Sequence, residues 1–179
     1  MSDAGAHTLT RDVDGDDHRR GPDDAPVTLL EYGDYQCPDC GDSHRVVKAV
    51  QKVLGDDLRF AFRNFPLTQI HERAQQAAEA AEAAGAQDAF WEYHDHLLEN
   101  QQALRRDDLI HYARDLKLDE KRLAQDIDSN AYAKRVRADF MGGVESDVNG
   151  TPTFFINGVR YDGEVDVDAM IDALRAATS

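Results

Sequence analysis

Two cysteines separated by two residues are the reactive feature of this sequence of 179 residues. They are Cys37 and Cys40, in the stretch YQCPDCGD, and the chain contains no other cysteine. Such a pair can form a disulfide, supply half of a metal site, or remain as inert thiols. Two cysteines are too few for the disulfide framework of a small secreted domain, so a redox motif or a metal site remains.

The cysteine pair lies between a predicted strand and a predicted helix. Residues 27–32 (VTLLEY) form a short apolar run that is typical of a buried strand. Beyond Cys40, valine and leucine recur at spacings of three and four, and Gly55 is placed to end that helix. Cys37 then falls at the helix N-terminus with Pro38 in the first turn, where the missing N–H is not needed. Unpaired N–H groups and the helix dipole favour a thiolate at Cys37.

This spacing predicts a division of labour between the two thiols. Cys40 lies one turn after Cys37 on the same side of the helix and is expected to be less exposed. Cys37 would form a mixed disulfide with a partner, and Cys40 would resolve it. His44 extends the pattern to C-x2-C-x3-H, but zinc needs four ligands, so no metal site is predicted. His44 is expected on the helix surface, and His71, His94 and His96 are expected to pack or cap helices.

The rest of the chain divides by composition into four segments. Residues 1–24 are rich in Asp, Gly, His and Arg and predict a flexible acidic arm, with a short edge strand just before Gly21. Residues 25–68 hold the cysteines and the alternating strand LRFAFRNF, and residues 69–147 are dominated by helix formers. Residues 148–179 contain an apolar strand, an Asn-Gly hairpin turn and a last amphipathic helix.

A proline directly ahead of that apolar strand needs a reason, because it cannot donate to the strand ladder. If the Thr151–Pro152 bond is cis and packs against the cysteines, the backbone of Thr151 can pair with an extended substrate segment. Tyr35, beside the cysteines, is a candidate for lining the same substrate groove.

Four motifs together identify a family. The stretches EYGDYQCPDC, FRNFPLTQIH, AFWEYHDHLL and GTPTFFINGVRYDG resemble the DsbA-like branch of the thioredoxin superfamily, over roughly residues 16–177. The resemblance implies an α/β thioredoxin fold, with a central mixed β-sheet and an inserted all-helical domain. It also implies thiol–disulfide exchange without a cofactor.

The resemblance also assigns roles to individual residues. It implies that Pro152 is the cis-proline facing Cys37, and that Glu31 is a buried acid near Cys40 that assists proton movement. Burial of Glu31 raises the question of an ion partner. Arg63 is a candidate, although a solvated strand residue is the more common case for an arginine in this setting.

One departure from the family pattern concerns the residues between the cysteines. Strongly oxidising members carry a histidine where this chain carries Asp39, next to Pro38. A carboxylate there disfavours the Cys37 anion and weakens the reduced form. We therefore predict a redox potential nearer that of thioredoxin, about -270 mV, than that of DsbA, about -120 mV.

The charge and hydropathy of the chain bear on its partners and location. The formal net charge is -15, which argues against nucleic acid or an anionic membrane as a partner. A carboxylate-rich, lysine-poor surface suggests a salt-adapted protein whose melting temperature rises in molar salt. The sequence shows neither a secretory signal nor an apolar run of about 18 residues, so a cytoplasmic location is predicted.

Three functions are weighed on these grounds. The first is a thiol–disulfide oxidoreductase acting on protein or small-molecule thiols and disulfides, together with an unidentified electron donor or acceptor. The second is a glutathione-dependent transferase or isomerase of the same fold, against which the intact pair of cysteines counts. The third is a non-catalytic binding module that uses the acidic surface.

Overall fold

The computed structural model describes residues 5–178; residues 1–4 of the predicted arm, and Ser179, lie outside the described residues. Within that range the chain forms five strands and seven α-helices. In chain order these are β1 His18–Arg20, β2 Val27–Gly33, α1 Pro38–Leu54, β3 Leu58–Asn64, α2 Ala74–Gly85, α3 Phe90–Glu99, α4 Arg106–Asp115, α5 Glu120–Asp128, α6 Ala133–Glu145, β4 Thr153–Ile156, β5 Val159–Tyr161 and α7 Val167–Ala176.

The strands form one mixed sheet in the order β1-β3-β2-β4-β5. β2 and β3 are parallel and are joined through α1, whereas β4 pairs antiparallel with β2, and β5 with β4. β1 adds an antiparallel edge beside β3, where the sequence predicts a short strand. The predicted α/β thioredoxin fold with a mixed sheet is confirmed. β2, the strand that leads into the cysteines, therefore has a parallel neighbour on one side and an antiparallel neighbour on the other.

Alternation along the central strands separates two apolar layers. Leu29 and Phe60 face the layer that holds α1, α7 and the inserted helices. Leu30, Ala61 and Phe155 face the opposite layer, which is smaller. Because successive side chains of a strand point to opposite faces, this alternation decides which polar side chains share a layer with the cysteines.

The N-terminal segment covers the smaller layer, so the prediction of a flexible arm is wrong for its described part. Leu9 and Val13 pack against that layer, and Thr8 forms a bridge with Val159 of β5. Composition alone predicts a flexible segment, because these residues are acidic and polar overall. Two apolar residues among them, Leu9 and Val13, are nevertheless positioned to pack on the sheet. The arm is held by these contacts and by a buried ion pair described below.

Five helices, α2 to α6, lie between β3 and β4, in the range that the sequence assigns to an inserted helical domain. α2 is rich in alanine, and its buried positions let α3, α5 and α6 pack closely around it. Asp119 caps α5 by accepting a hydrogen bond from the backbone N–H of Arg122 at 3.0 Å. None of the helices within residues 5–178 is both long and apolar enough to cross a membrane.

The strand pair at the end of the sheet follows its predicted turn chemistry. Asn157 and Gly158 connect β4 to β5 with φ angles of 47° and 81°. Both angles lie in the left-handed region that a two-residue hairpin of type I′ requires, and Asn-Gly is the sequence that adopts it most readily.

Candidate redox site

Cys37 is the residue that begins α1, and its thiol faces the loop before β4. It occupies the N-cap position, with Pro38 in the first turn as predicted. Its Sγ donates a hydrogen bond to the carbonyl oxygen of Thr151 at 3.6 Å. Cys37 is 6% exposed and Cys40 is 0% exposed, and both are free thiols. The arrangement is a reduced dithiol with one sulfur at the surface and one beneath it.

The electrostatics of the two thiols are opposite. A hydrogen bond from the Cys40 thiol, together with the N–H groups of Cys40 and Asp39, outweighs burial and lowers the pKa of Cys37 to about 5. The same hydrogen bond, together with burial and the charge of Glu31, raises the pKa of Cys40 well above its usual value. At neutral pH Cys37 is therefore a thiolate and Cys40 a thiol.

Glu31 lies on β2, on the sheet face that carries the cysteines. It is 2% exposed, and its Oε1 atom has no hydrogen-bond partner among the described residues. Burial, and then the charge of Cys37, raise the pKa of this carboxyl to about 8. A carboxyl group that is buried without a cation stays protonated at neutral pH and can exchange a proton with its surroundings.

Arg63 is not the ion partner of Glu31, nor is it solvated, so neither expectation for this residue holds. It is buried, and its guanidinium binds both carboxylate oxygens of Asp17 at 2.8 and 2.9 Å. It also donates to the Tyr32 hydroxyl at 3.0 Å. Arg63 pairs with Tyr32 in the parallel register, on the sheet face opposite to Glu31. The sequence of β3 predicts that its side chains alternate between the two faces. It does not predict that Asp17, from the N-terminal segment, packs against the face that carries Arg63.

The loop opposite the cysteines comes directly before β4. The Thr151–Pro152 peptide bond is cis, and both residues are partly exposed. The Oγ1 atom of Thr151 is buried without a hydrogen-bond partner, while Thr153 Oγ1 donates to the carbonyl oxygen of Gly150 at 2.7 Å. This loop and the start of α1 border the small exposed part of the Cys37 side chain.

Asp34 organises the approach to the cysteines, and the sequence analysis did not identify it. Its carboxylate accepts hydrogen bonds from the N–H of Gln36 at 2.8 Å and of Leu67 at 2.9 Å, and contacts His71 Nδ1 at 2.8 Å. Its own N–H donates to Cys40 Sγ at 3.5 Å. The available signal was an acidic residue directly after a buried strand, since such a residue needs several donors if it is buried.

The segment between β3 and β4 also binds residues 35–37, at the end of the loop that leads into α1. Gln101 donates from Nε2 to the carbonyl oxygens of Tyr35 at 3.0 Å and of Cys37 at 2.7 Å. Gln36 Oε1 accepts a hydrogen bond from the N–H of Arg73 at 2.7 Å. No local pattern marks Gln101, because its partners lie more than sixty residues earlier in the chain.

Two expectations about aromatic and histidine residues near the site are wrong. Tyr35 does not line a substrate groove: it is 1% exposed, and its hydroxyl bonds to His94 Nδ1 at 2.8 Å. His44 is not on the helix surface, because α3 packs over it and leaves it buried. His94 is buried, as a packing residue would be.

Pro38 and Asp39, by contrast, are exposed beside Cys37 and remain candidates for contact with substrate.

The fold and the thiol pair define the class: a thioredoxin-fold protein with a dithiol that can be oxidised to a disulfide. Comparison with known proteins agrees. The chain belongs to the thioredoxin family, because a family model described as Thioredoxin matches residues 13–176. BdbD from Bacillus subtilis superposes with a TM-score of 0.81 and 26% identity, covering 89% of this chain and 91% of BdbD.

A second structure and the curated relatives extend this picture. Alpha-DsbA1 from Wolbachia pipientis shares the fold, with a TM-score of 0.78 and 18% identity over 92% of both chains. The Na(+)/H(+) antiporter NhaA 1 of Salinispora arenicola is 48% identical over 168 residues. That match covers 92% of this chain but 25% of the antiporter, so the chain spans about a quarter of the length of this relative.

The comparisons correct the predicted location. BdbD is an oxidoreductase that acts outside the cytoplasm, so the prediction of a cytoplasmic location is wrong. The lack of a secretory signal could not settle the matter, because it does not record the compartment in which a folded domain works.

Proposed function

We propose that this chain is a thiol–disulfide oxidoreductase of the DsbA type, with Cys37 as the attacking thiolate and Cys40 as the resolving thiol. The observation that carries the proposal is the placement of the thiols: Cys37 stands at the N-cap of α1 facing the Thr151 carbonyl, and Cys40 is fully buried behind it. The pKa of Cys37, lowered to about 5, agrees with this assignment. A thiolate is the form that attacks disulfides, and a protonated neighbour cannot compete with it until it loses its proton.

The exchange balances in two steps. The Cys37 thiolate attacks one sulfur of a substrate disulfide, the substrate S–S bond breaks, and the other substrate sulfur leaves as a thiolate. Cys40 then loses its proton and attacks Cys37 Sγ, which breaks the mixed disulfide and releases the second substrate sulfur. Two electrons pass to the substrate and the Cys37–Cys40 disulfide forms. The reverse sequence oxidises a substrate dithiol.

Glu31 is proposed to take the proton that Cys40 loses. While Cys37 is a thiolate, its charge and the burial of Glu31 keep that carboxyl protonated. Once Cys37 is part of a disulfide its charge is gone, so the pKa of Glu31 falls from about 8, although burial still raises it. The carboxyl group then becomes a proton acceptor at the step that needs one.

The substrates are proposed to be protein thiols and disulfides, because an apolar groove borders the proline loop. The groove has a volume of about 380 Å³. The apolar residues that line it are Phe65, Pro66, Leu67, Ile70, Phe140, Val144 and Val148. Ile70 is 72% exposed, and Val148 lies three residues before Thr151, whose backbone we propose pairs with the substrate chain. The electron donor or acceptor is proposed to dock on the same surface.

The similarity to the antiporter is not evidence of transport activity in this chain. The matched quarter of that relative corresponds to the thioredoxin-fold domain described here. We propose that this quarter performs the same thiol chemistry there.

Reduction of insulin disulfides by dithiothreitol tests the roles of the thiols. Cys37→Ser should reduce the rate to the uncatalysed background, and Cys40→Ser should accumulate mixed disulfides that gel electrophoresis without reductant detects. Unaltered thermal melting of both variants shows that folding is intact. Full activity in Cys37→Ser would refute the assignment, and glutathione conjugation without insulin reduction would favour a transferase.

A second experiment tests the groove. Ile70→Asp should slow the reduction of insulin while leaving the reaction of the reduced protein with a small disulfide, oxidised glutathione, unchanged. Val53→Asp is the matched control, because Val53 is also exposed but lies on α1, outside the groove. Equal effects of the two substitutions would contradict a docking role for the groove.

A further inference from the structure

A second cluster of reactive groups lies between α1 and α3, one turn beyond Cys40. His44 is 5% exposed, yet its Nε2 atom has no hydrogen-bond partner within residues 5–178. That atom lies 3.8 Å from Asp95 Oδ1 and 3.7 Å from Glu99 Oε1, beyond hydrogen-bond distance. Asp95 Oδ1 is likewise buried and unpartnered. Buried polar atoms that face one another without bonding are costly unless something joins them.

His94 completes the cluster from the neighbouring position on α3. One ligand atom from each of His44, His94 and Asp95 lies within 4.8 Å of the other two. His94 Nδ1 contacts the Tyr35 hydroxyl at 2.8 Å, which leaves Nε2 as the ring nitrogen free for an ion. Metal-binding histidines usually have such a hydrogen bond on the second nitrogen, because it fixes the tautomer and the orientation of the ring.

We propose that His44, His94 and Asp95 bind a divalent transition-metal ion of the zinc class, with Glu99 as the fourth ligand. Two imidazoles and two carboxylates suit zinc better than magnesium or calcium, which prefer oxygen ligands alone. Ligand atoms of a tetrahedral zinc site lie roughly 3.3 Å apart, given bonds of about 2.0–2.1 Å. Contacts of 3.7 and 3.8 Å therefore need to shorten by about half an ångström when the ion binds.

The surroundings offer an entry path and two competing cations. A cavity of about 560 Å³ has His44, Lys48 and Glu99 in its lining and opens to solvent. Lys48 donates from Nζ to Glu99 Oε1 at 3.1 Å, and its side chain is 44% exposed, so it can swing outward when the ion takes its place. Arg20 contacts the other oxygen of Asp95, Oδ2, at 3.4 Å and leaves Oδ1 free.

The site is separate from the thiol chemistry, because none of the steps at Cys37 and Cys40 needs it.

Zinc titration of the chelator-treated, oxidised protein tests the proposal. The oxidised form is used because free thiolates at Cys37 and Cys40 would also bind zinc. Calorimetry should find one Zn²⁺ per chain, with the affinity of His44→Gln reduced by more than about 100-fold, the upper range for losing an outer-shell contact. His111→Gln is the matched control, since His111 forms an exposed pair with Asp115 at 3.4 Å. It should bind zinc as the unmodified chain does.

The outcomes separate the possibilities. Binding of no zinc, or equal binding by the unmodified chain and His44→Gln, overturns the proposal. If thermal melting shows that His44→Gln does not fold, Glu99→Gln decides instead, because Glu99 is half exposed and outside the core. Weaker zinc binding by Glu99→Gln then supports the site, and unchanged binding overturns it. Cobalt substitution should give an absorption spectrum of nitrogen and oxygen ligands without sulfur.

Discussion

Two buried carboxylates on opposite faces of one sheet have opposite properties. Glu31, on the face of the thiols, has an oxygen without a partner, and its pKa is raised to about 8. Asp17, against the far face, is held by Arg63; burial acts to raise its pKa, but the hydrogen bonds from Arg63 outweigh it and lower it to about 2. Burial is similar, so the presence of a cation is what separates them.

The difference shows how the sheet divides its tasks. The far face uses a paired acid to attach the N-terminal segment, and an ion pair there contributes to structure without changing its charge. The thiol face keeps an unpaired acid that can gain and lose a proton near neutral pH. Each of the following experiments tests one side of this contrast.

The largest expected effect comes from removing the cation on the far face. Arg63→Met leaves the buried Asp17 with the half-exposed Arg11, 3.2 Å away, as its remaining cation, and should cost about 3 kcal/mol of the free energy of unfolding, the lower end of the range for a broken buried pair. Urea denaturation measures the loss. Arg59→Met is the matched control on the same strand, where Arg59 is only partly buried and bonds Thr28 Oγ1; it should cost about 1 kcal/mol or less. Similar losses for both variants would show that the ion pair between Arg63 and Asp17 contributes no more to the free energy of unfolding than the hydrogen bond of Arg59 does.

Removing the unpaired acid should affect rate more than stability. Glu31→Gln should slow the resolution of the mixed disulfide by about 100-fold, the lower range for a lost proton acceptor. Stopped-flow measurement of the Cys40 attack reports this step. Glu79→Gln is the matched control, because Glu79 is also buried with an unpartnered oxygen but lies on α2. A rate in Glu31→Gln equal to that of the control would refute the role of Glu31.

Opposite pKa shifts predict opposite pH dependences of stability. The pKa of Asp17 is lower in the folded state than its usual 3.8, so its contribution of about 2 kcal/mol is present above pH 4 and is lost as pH falls through about 2. The pKa of Glu31 is raised from 4.5 to about 8, so its ionisation removes stability between those values as pH rises. Urea midpoints across pH for Asp17→Asn and Glu31→Gln, each against the unmodified chain, check both signs. If the urea midpoint of either variant changes with pH in the same way as that of the unmodified chain, the pKa shift of the substituted residue is contradicted.

The smallest effect is expected at the exposed position between the thiols. The pKa of about 5 at Cys37 lies between about 7 for thioredoxin and about 3.5 for DsbA. Asp39→His should stabilise the thiolate further and raise the redox potential by about 30 mV in a glutathione titration. Asp42→His, one turn along α1 and also exposed, should leave the potential unchanged. A potential of the unmodified chain above about -160 mV would contradict the predicted ranking.

Much of the fold and the centre of the site could be predicted from local patterns. The strand before the cysteines, the position of Cys37 at the N-cap of α1, the helical insertion and the Asn157-Gly158 turn all rest on residues close together in the chain. The residues that hold the site in place could not be found in this way. Asp34 and Gln101 act through partners 33 and 64 residues away, and no local spacing records such contacts.

The sequence by itself determined that a thiol would stand at a helix N-terminus, because helix start signals and the cysteine spacing act within one turn of chain. Only the tertiary structure decided which acids would be paired. Glu31 and Arg63 lie on adjacent strands but on opposite faces, and the cation went to Asp17 because the N-terminal segment packs over the far layer. Strand alternation fixes the face of a side chain, but the element that covers that face is chosen by the packing of the whole chain.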